Sequence, residues 1–450
     1  MTIRRWLAVA AAALSFNAAA QGADPIRIGL LTADSGTLAF LLPHYLEPAK
    51  LAVERINAEG GVMGRKLELV QQAYAPTPAG ALQAVTRLAQ QEKAVVVFGF
   101  ITSAGSLAVA PRMEALNAIY LDSTSQANDL TTKACNANYF RSTFNDAMNI
   151  NTLAAEVRRS GAKTWSLLAA DYAYGHDFAK SFKALVESMG GTLNTTLFAP
   201  MDTADFGSYI SQLDAKRTEG LAGLFPGTGG NNFAKSFKAL VESMGGTLNT
   251  TLFAPMDTAD FGSYISQLDA KRTEGLAVLF PGTGGNNFAK QQKQFGLFPK
   301  YKVVVSTSFT ADIVLPAQGD TVVGVFSSQG FAPEFTGAKT EAFVKLWQER
   351  FKRPPSYIEA DTWQAVELIK AAVEKAGGAT DPAALRKALA GLKTSTVIGD
   401  VEMRAADHQL TRRMALLQVE AAGEGKARMA LRAIVPPDQA APAPVLNCPP

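Results

Sequence analysis

The residue types that most often do chemistry are scarce and scattered in this chain. His44, His176 and His408 are the only histidines, and Cys135 and Cys448 the only cysteines. None has a companion at the short spacing that zinc sites use. No G-x-x-x-x-G-K-S/T, G-x-S-x-G or H-E-x-x-H run occurs, so the common phosphate cradle, nucleophile elbow and zinc-protease helix are missing. Gly-Thr-Gly-Gly occurs at Gly227–Gly230 and again at Gly282–Gly285, without the dinucleotide-binding spacing. It reads as a strand-to-helix turn, with Asn286 and Asn287 able to cap the helix that follows. Asp171 has the chemistry of a general base, although a polar strand end or a cap needs nothing more. His176, just after Tyr174-Gly175, could reach a ligand, or simply open a helix. The search for catalytic chemistry thus comes back thin, and no catalytic residue, cofactor or metal is expected.

The elements that would position such a site alternate strand with helix. Ile26 to Leu31 reads as a strand, followed by a helix that carries Leu46, Ala49, Val53 and Ile56 on one face and ends at Gly60-Gly61. Lys66 to Val70, Val95 to Phe100 and Ile119 to Asp122 read as further strands, and Ala81 to Gln91 as a helix. Trp165 to Ala170 begins a second series. It contains helix 178–189, strand Leu193 to Phe198, helix Phe206 to Ala215 and strand Leu221 to Phe225, and later Val303 to Ser306. Phe343, Trp347 and Phe351 share a helix face, as do Trp363, Val366, Ile369 and Val373, and Asp381-Pro382 suits a helix start. Strands alternating with helices of this length predict parallel sheets covered on both faces, in two α/β lobes. Ligands of such folds bind outside the carboxyl ends of the strands.

The chain has 450 residues, 47% hydrophobic and 18% charged, as expected of a globular protein. Its formal charge of +3 falls by two if Arg4 and Arg5 are removed with a leader, which gives no reason to expect a nucleic acid partner. A basic start, an apolar run from Leu7 to Phe16 and Ala18-Ala19-Ala20 make residues 1–20 a signal peptide cleaved near Ala20. The mature protein is then expected in a bacterial periplasm. Two cysteines in an oxidising compartment favour a Cys135–Cys448 disulfide, the alternative being two unpaired buried thiols. The Pro-rich tail, 435–450, has too little apolar periodicity to dock as a helix.

A tandem copy interrupts the second series. Phe178–Lys235 recurs as Phe233–Lys290, 55 residues on, with Gly223 against Val278 as the one difference. Near identity and only two copies argue against a solenoid. Glycine weakens a strand, so the copy with Val278 is the better fit to a core sheet. The duplicate must either widen the sheet of the second lobe or be extruded from it.

Several segments resemble one family. INAEGGVMGRKLELV at Ile56–Val70 resembles a signature of the branched-chain amino acid type of periplasmic substrate-binding proteins. The likeness continues in IRIGLLTADSG from Ile26, SLAVAPRMEALNAIYLDSTSQANDLT from Ser106, YFRSTF from Tyr139 and DYAYGHDFAKSF from Asp171. The resemblance implies the α/β type I periplasmic binding fold, two doubly wound parallel-sheet lobes joined by three crossover segments, with the 55-residue duplication in the second lobe. The crossovers would lie near Arg141–Phe144, Ser327–Ala332 and Gln409–Arg413. Lobe 1 would comprise 21–142 plus 331–410, and lobe 2 143–330 plus 411–434. The implied function is non-enzymatic: a monomer traps a small organic ligand between its lobes and delivers it to an inner-membrane ABC permease. A ligand sensor on the same fold is the alternative.

The resemblance also implies ligand-binding positions. Ser103 would meet a carboxylate, with Thr124, Ser125 and Gln126 in the next loop, and Gln126 replaces the family's usual threonine. Tyr174 would wall the ligand, with Asp171 and Tyr172 beside it. Ser308 stands where amino-acid binders place an acid for the ammonium, and Asp312 is the nearest substitute. Phe309 and Phe40 would add aromatic wall or join the core. Two ligands stay open, a hydrophobic amino acid and a carboxylate lacking an ammonium, such as an aromatic acid. Gln126, Ser308 and the cysteine pair, which is similar to that of relatives taking aromatic carboxylates, favour the second.

Overall fold

The computed structural model describes residues 24–159 apart from 34, 35 and 76. It also describes 164–171, 190–200, 220–224, 275–277, 282–294, 298–300, 303–306, 309–444, Cys448 and a few isolated positions between 183 and 296. The first sheet is parallel, in the order β2-β1-β3-β4-β5. It is built from β1 (Ile26–Thr32), β2 (Leu67–Ala73), β3 (Val96–Gly99), β4 (Ile119–Asp122) and β5 (Tyr139–Arg141). Helices cover both faces of its central strands, which is why β3 and β4 are buried at every position. α1 (Leu42–Ala58) turns Tyr45, Ala49, Ala52, Val53 and Ile56 inward. α2 (Pro78–Thr86) is shorter than the sequence suggests, because Arg87–Gln91 is a π turn. The wider turn buries Leu88 and Ala89 together. α3 is Ser103–Val109.

Past β5 the chain enters α4 (Asp146–Arg159) and a second α/β body. β6 (Thr164–Asp171), β7 (Thr192–Pro200) and β8 (Gly220–Leu224) form a parallel sheet in the order β7-β6-β8. β9 (Gly275–Ala277), β10 (Val303–Ser306) and β11 (Phe326–Gln329) run parallel in another. β8 and β9 are the same strand of the two repeat copies. The first copy docks beside β6 and the second beside β10. Gly223 lies within β8, while Val278 and the expected helix Phe206 to Ala215 lie outside the described residues. α5 (Gly282–Gln294) starts at the first residue of Gly-Thr-Gly-Gly. Asn286 and Asn287 therefore sit inside the helix and do not cap it, contrary to the sequence reading. α6 is Leu315–Gln318.

After β11 the chain returns to the first body as α7 (Ala338–Phe351), α8 (Tyr357–Lys375) and α9 (Pro382–Leu389). Asp381 caps α9 by accepting Ala384 N–H at 3.0 Å, with Pro382 at the first position. β12 (Lys393–Thr396), β13 (Gly399–Met403) and β14 (Leu410–Thr411) make a small antiparallel sheet. Phe343, Trp347, Trp363, Val366, Ile369 and Val373 join β1, β3 and β4 in one core. The chain then goes back to the second body. β15 (Met414–Ala421) and β16 (Ala427–Val435) form an antiparallel hairpin on the edge of β11. The connection is too short for a parallel crossover, so this edge departs from the expected all-parallel sheet.

The chain crosses three times between the bodies, and one hydrogen-bond network holds the crossings together. Arg141 Nε donates to Gln409 Oε1 at 2.6 Å, and Gln409 Nε2 donates to the Thr143 carbonyl at 2.8 Å. Arg412 is fully buried and donates to Asp361 Oδ1, to Gly330 O at 2.5 Å and to Ser142 O at 3.4 Å. Gly330 has no room for a side chain, since a Cβ there would lie 2.6 Å from both the Arg412 guanidinium and the Phe144 ring.

The tail corrects a second reading. Pro437–Ala440 forms one helical turn, α10, and docks. Ala440 and Ala441 are buried with Phe144, Met148 and Met414, and Asn151 Nδ2 donates to Ala440 O at 2.9 Å. One turn is too short to show periodicity in the sequence, and two small alanines suffice to fill a shallow site. Farther on, Arg404 Nη1 donates to Pro442 O at 2.6 Å, and Cys448 N–H donates to Ala406 O at 2.6 Å. Cys448 is bonded to Cys135, with the two Cα atoms 5.4 Å apart.

Candidate ligand site

The carboxyl end of β3 shapes one wall. Gly99 has φ +105°, and a Cβ there would lie 2.5 Å from Leu31 O, so only glycine fits. Its N–H donates to Ser123 Oγ at 3.1 Å, and its carbonyl accepts Thr124 Oγ1 at 2.8 Å. Thr102 caps α3 by accepting Gly105 N–H at 3.2 Å. The next residue, half-buried Ser103, accepts Ala127 N–H at 3.4 Å. Ser103 and the Thr124–Gln126 loop are therefore brought together.

Beneath them, the buried Asp122 carboxylate accepts from Thr124 N–H, Ser125 N–H, Ser106 Oγ and the Tyr139 hydroxyl, at 2.9 to 3.0 Å. It is a loop organiser. The Ser125 hydroxyl also points inward, to Ile101 O at 3.1 Å and Ser106 Oγ at 2.5 Å. Gln126 is oriented from the second body: Asn149 Nδ2 donates to its Oε1 at 3.0 Å, while Ser328 Oγ donates to Asn149 Oδ1 at 2.7 Å. With Oε1 so engaged, the polar group Gln126 has left to offer is its NH2, a donor.

Aromatic residues stand around these donors. Tyr45 and Phe100 have ring centroids 5.5 Å apart, and the Tyr45 hydroxyl lies 3.4 Å from Thr124 Oγ1. Tyr74 flanks Phe100 at 6.3 Å, and Tyr357 faces Phe144 at 5.9 Å. Burial pushes the Tyr45, Tyr74 and Tyr357 phenols well above their ordinary range, so they act as neutral hydroxyls. Phe40 is exposed on a turn, Gly36–Leu41. Phe309 is core and not wall: it is fully buried among Phe288 and Phe298, at 5.8 and 6.2 Å. Tyr172, Tyr174, His176 and Ser308 lie outside the described residues. Asp171 ends β6, consistent with a strand-end residue.

Asp312 bridges the two bodies. Its Oδ2 accepts Tyr357 N–H, at the start of α8, at 2.8 Å, and its Oδ1 accepts Ile313 N–H at 2.9 Å. Nearby, Glu359 completes a capping box with Ser356 and accepts from Arg353 and His44. Burial pushes Asp312 up to about 7, and the Glu359 charge adds to the effect. Arg353, His44 and the Ser356 N–H hold Glu359 down at about 2 against its own burial. A raised carboxyl makes the folded state the better proton binder between its ordinary value and 7. The Asp312 contribution is thus fully present in acid and lost as pH rises through 7. Thermal melts between pH 5 and 8 should show wild type losing ground to Asp312→Asn as pH rises; parallel profiles would contradict this.

The remaining histidines are structural. His44 Nδ1 meets Glu359 at 2.8 Å, and His408 meets Tyr139 O at 2.9 Å while stacking on Phe140 at 4.1 Å. His408 lies within 4.8 Å of both cysteine sulfurs, but those are bonded to each other. Sequence reasoning missed Asn149, Tyr45 and Tyr357. Only Tyr357 has a local signal, the Ser356–Glu359 capping box that places it at a helix start.

Two α/β bodies with three crossings, and polar loops at the carboxyl ends of β3 and β4, define a two-lobed solute-binding protein. The chain matches the family model "Periplasmic binding protein" over residues 25–240 and 227–424, and it belongs to that family. It is 23% identical over 415 residues to Leu/Ile/Val-binding protein homolog 4 of Brucella abortus (strain 2308), covering 89% of this chain and 86% of that protein. Similar structures include an ABC-transporter solute-binding protein from R. palustris in complex with 4-hydroxybenzoate, with TM-score 0.67, 20% identity, and coverage of 92% of this chain and 98% of that one. A branched-chain amino acid transporter protein from Rhodopseudomonas palustris CGA009 gives TM-score 0.65 and 19% identity, covering 94% and 98%. These solute-binding proteins of ABC transporters are not enzymes. Among the described residues no helix is long and apolar enough to cross a membrane.

Proposed function

We propose that this protein, freed of residues 1–20, captures a small aromatic carboxylate in the periplasm and delivers it as a monomer to an inner-membrane ABC permease. One observation carries the choice of ligand. Ser103 and Gln126 bring a hydroxyl and an amide NH2 to the same strand ends, whereas the Asp122 carboxylate beneath them already accepts four hydrogen bonds and Asp312 two backbone N–H groups. Donors suit a carboxylate. An ammonium buried without a carboxylate partner is costly. Solved relatives in complex with benzoate and 4-hydroxybenzoate agree with this reading.

A thermal-shift panel tests it. Ligand at 100 times its dissociation constant should stabilise the protein by about 2.7 kcal/mol. Benzoates should shift the melt and leucine should not. A shift with leucine alone would overturn the carboxylate reading and favour a hydrophobic amino acid, the ligand class in the names of the Brucella relatives. Binding without uptake by a permease would favour the sensor.

A further inference from the structure

Two buried side chains on the second body, Gln329 and Thr310, have no hydrogen-bond partner among the described residues for any side-chain polar atom. Neither amide atom of Gln329 has a hydrogen-bond partner, although the residue is only 2% exposed. The fully buried Thr310 Oγ1 has none either. Folded proteins seldom leave such groups open, because each loses its water without replacement.

Their placement is informative. Gln329 is the last residue of β11, and strand alternation puts it on the same face as Ser327. Ser327 Oγ donates to Thr310 O at 2.9 Å. Ser306, the register partner of Ser327 on β10, accepts Phe309 N–H at 2.8 Å and Thr310 N–H at 3.2 Å. The Phe309-Thr310 turn is thereby tied to that face, at the carboxyl ends of two parallel strands, where α/β folds bind ligands. The opposite face of β11 carries Ser328, which orients Gln126 through Asn149. One strand end thus serves the first-body donors on one face and holds the open amide on the other.

We propose that Gln329 and Thr310 form a subsite for a hydroxyl group of the ligand, so that the solute is a hydroxylated aromatic carboxylate. The amide offers a donor beside an acceptor, and a phenolic hydroxyl both accepts and donates. Neither a bare ring edge nor an ammonium would satisfy both ends. A para-hydroxyl places the polar groups at opposite ends of a flat ring, one for each lobe.

The inference rests on the carboxylate reading, and one experiment separates the two. The mature full chain is titrated calorimetrically with benzoate, 4-hydroxybenzoate and leucine. Wild type should bind 4-hydroxybenzoate at least about tenfold more tightly than benzoate, because a site built for a hydroxyl rejects the analogue that lacks it. Gln329→Leu should abolish that preference and leave benzoate affinity within about twofold. Thr310→Val, smaller in its demand on packing, should reduce the preference and serves if Gln329→Leu does not fold. Equal affinity for the two benzoates, unchanged in either variant, would overturn the subsite and leave the carboxylate reading standing. Leucine binding with no response to either benzoate would overturn both.

Discussion

Replacing Arg412 by methionine should destabilise the protein by about 3–5 kcal/mol, the cost of stranding a buried charge. Arg412 and Asp361 are both buried, and Thr143 Oγ1 donates to the other Asp361 oxygen at 2.8 Å. Burial already pushes the Asp361 carboxyl up, against the pull of Arg412 and of that hydroxyl. Without the guanidinium, the carboxyl is left in the same place with one neutral donor. Ser142 O and Gly330 O, one on each of the other two crossings, lose a donor as well. The double variant Arg412→Met, Asp361→Leu should recover the part due to the stranded charge but not the part due to the two carbonyls. Urea melts of the four proteins in the cycle give the split. A single variant as stable as wild type would mean that the crossings are held by packing alone. The hinge position adds a functional readout, because looser crossings widen the open ensemble and should weaken ligand binding more than any surface change.

The second large effect concerns the strap formed by the tail. Cys448→Ser should lower stability by about 2–5 kcal/mol. The closed loop is very long, with partners 313 residues apart, so the unfolded chain gains much freedom when the bond goes. The tail leaves β16, docks α10 on the second body, then reaches Arg404, Ala406 and Cys135 on the first. It is a fourth connection between the bodies. Cys135→Ser should cost the same, and the double variant no more than either single change, since one bond is lost in every case. Denaturant midpoints measured with and without a thiol reductant provide the check. Reduction that leaves the wild-type midpoint unmoved would show that the docked tail stands without its covalent pin.

Much of the fold can be read in the amino-acid order, and the reason is local. β1, β3 and β4 are buried strands, so they appear as short apolar runs, and their limits, like those of β10, coincide with the structure to within a residue or two. Asp381-Pro382 and Gly60-Gly61 mark helix ends through backbone chemistry that needs no partner far away. Ser103 and the Thr124–Gln126 loop could be named only through the family resemblance, and the structure does bring them together, Ser103 accepting the Ala127 N–H. The tertiary structure alone decided what those groups face. Gln126 became a donor through Asn149 and Ser328, Arg412 an anchor through Asp361, and Phe309 a core residue through Phe288 and Phe298. Gln329 stands out because its buried amide has no hydrogen-bond partner among the described residues. Each of these outcomes depends on partners brought together from distant parts of the chain, where no periodicity links them. A sequence carries the propensity of each element in its own neighbourhood. Which polar side chain is left without a partner is determined only when every other element has packed.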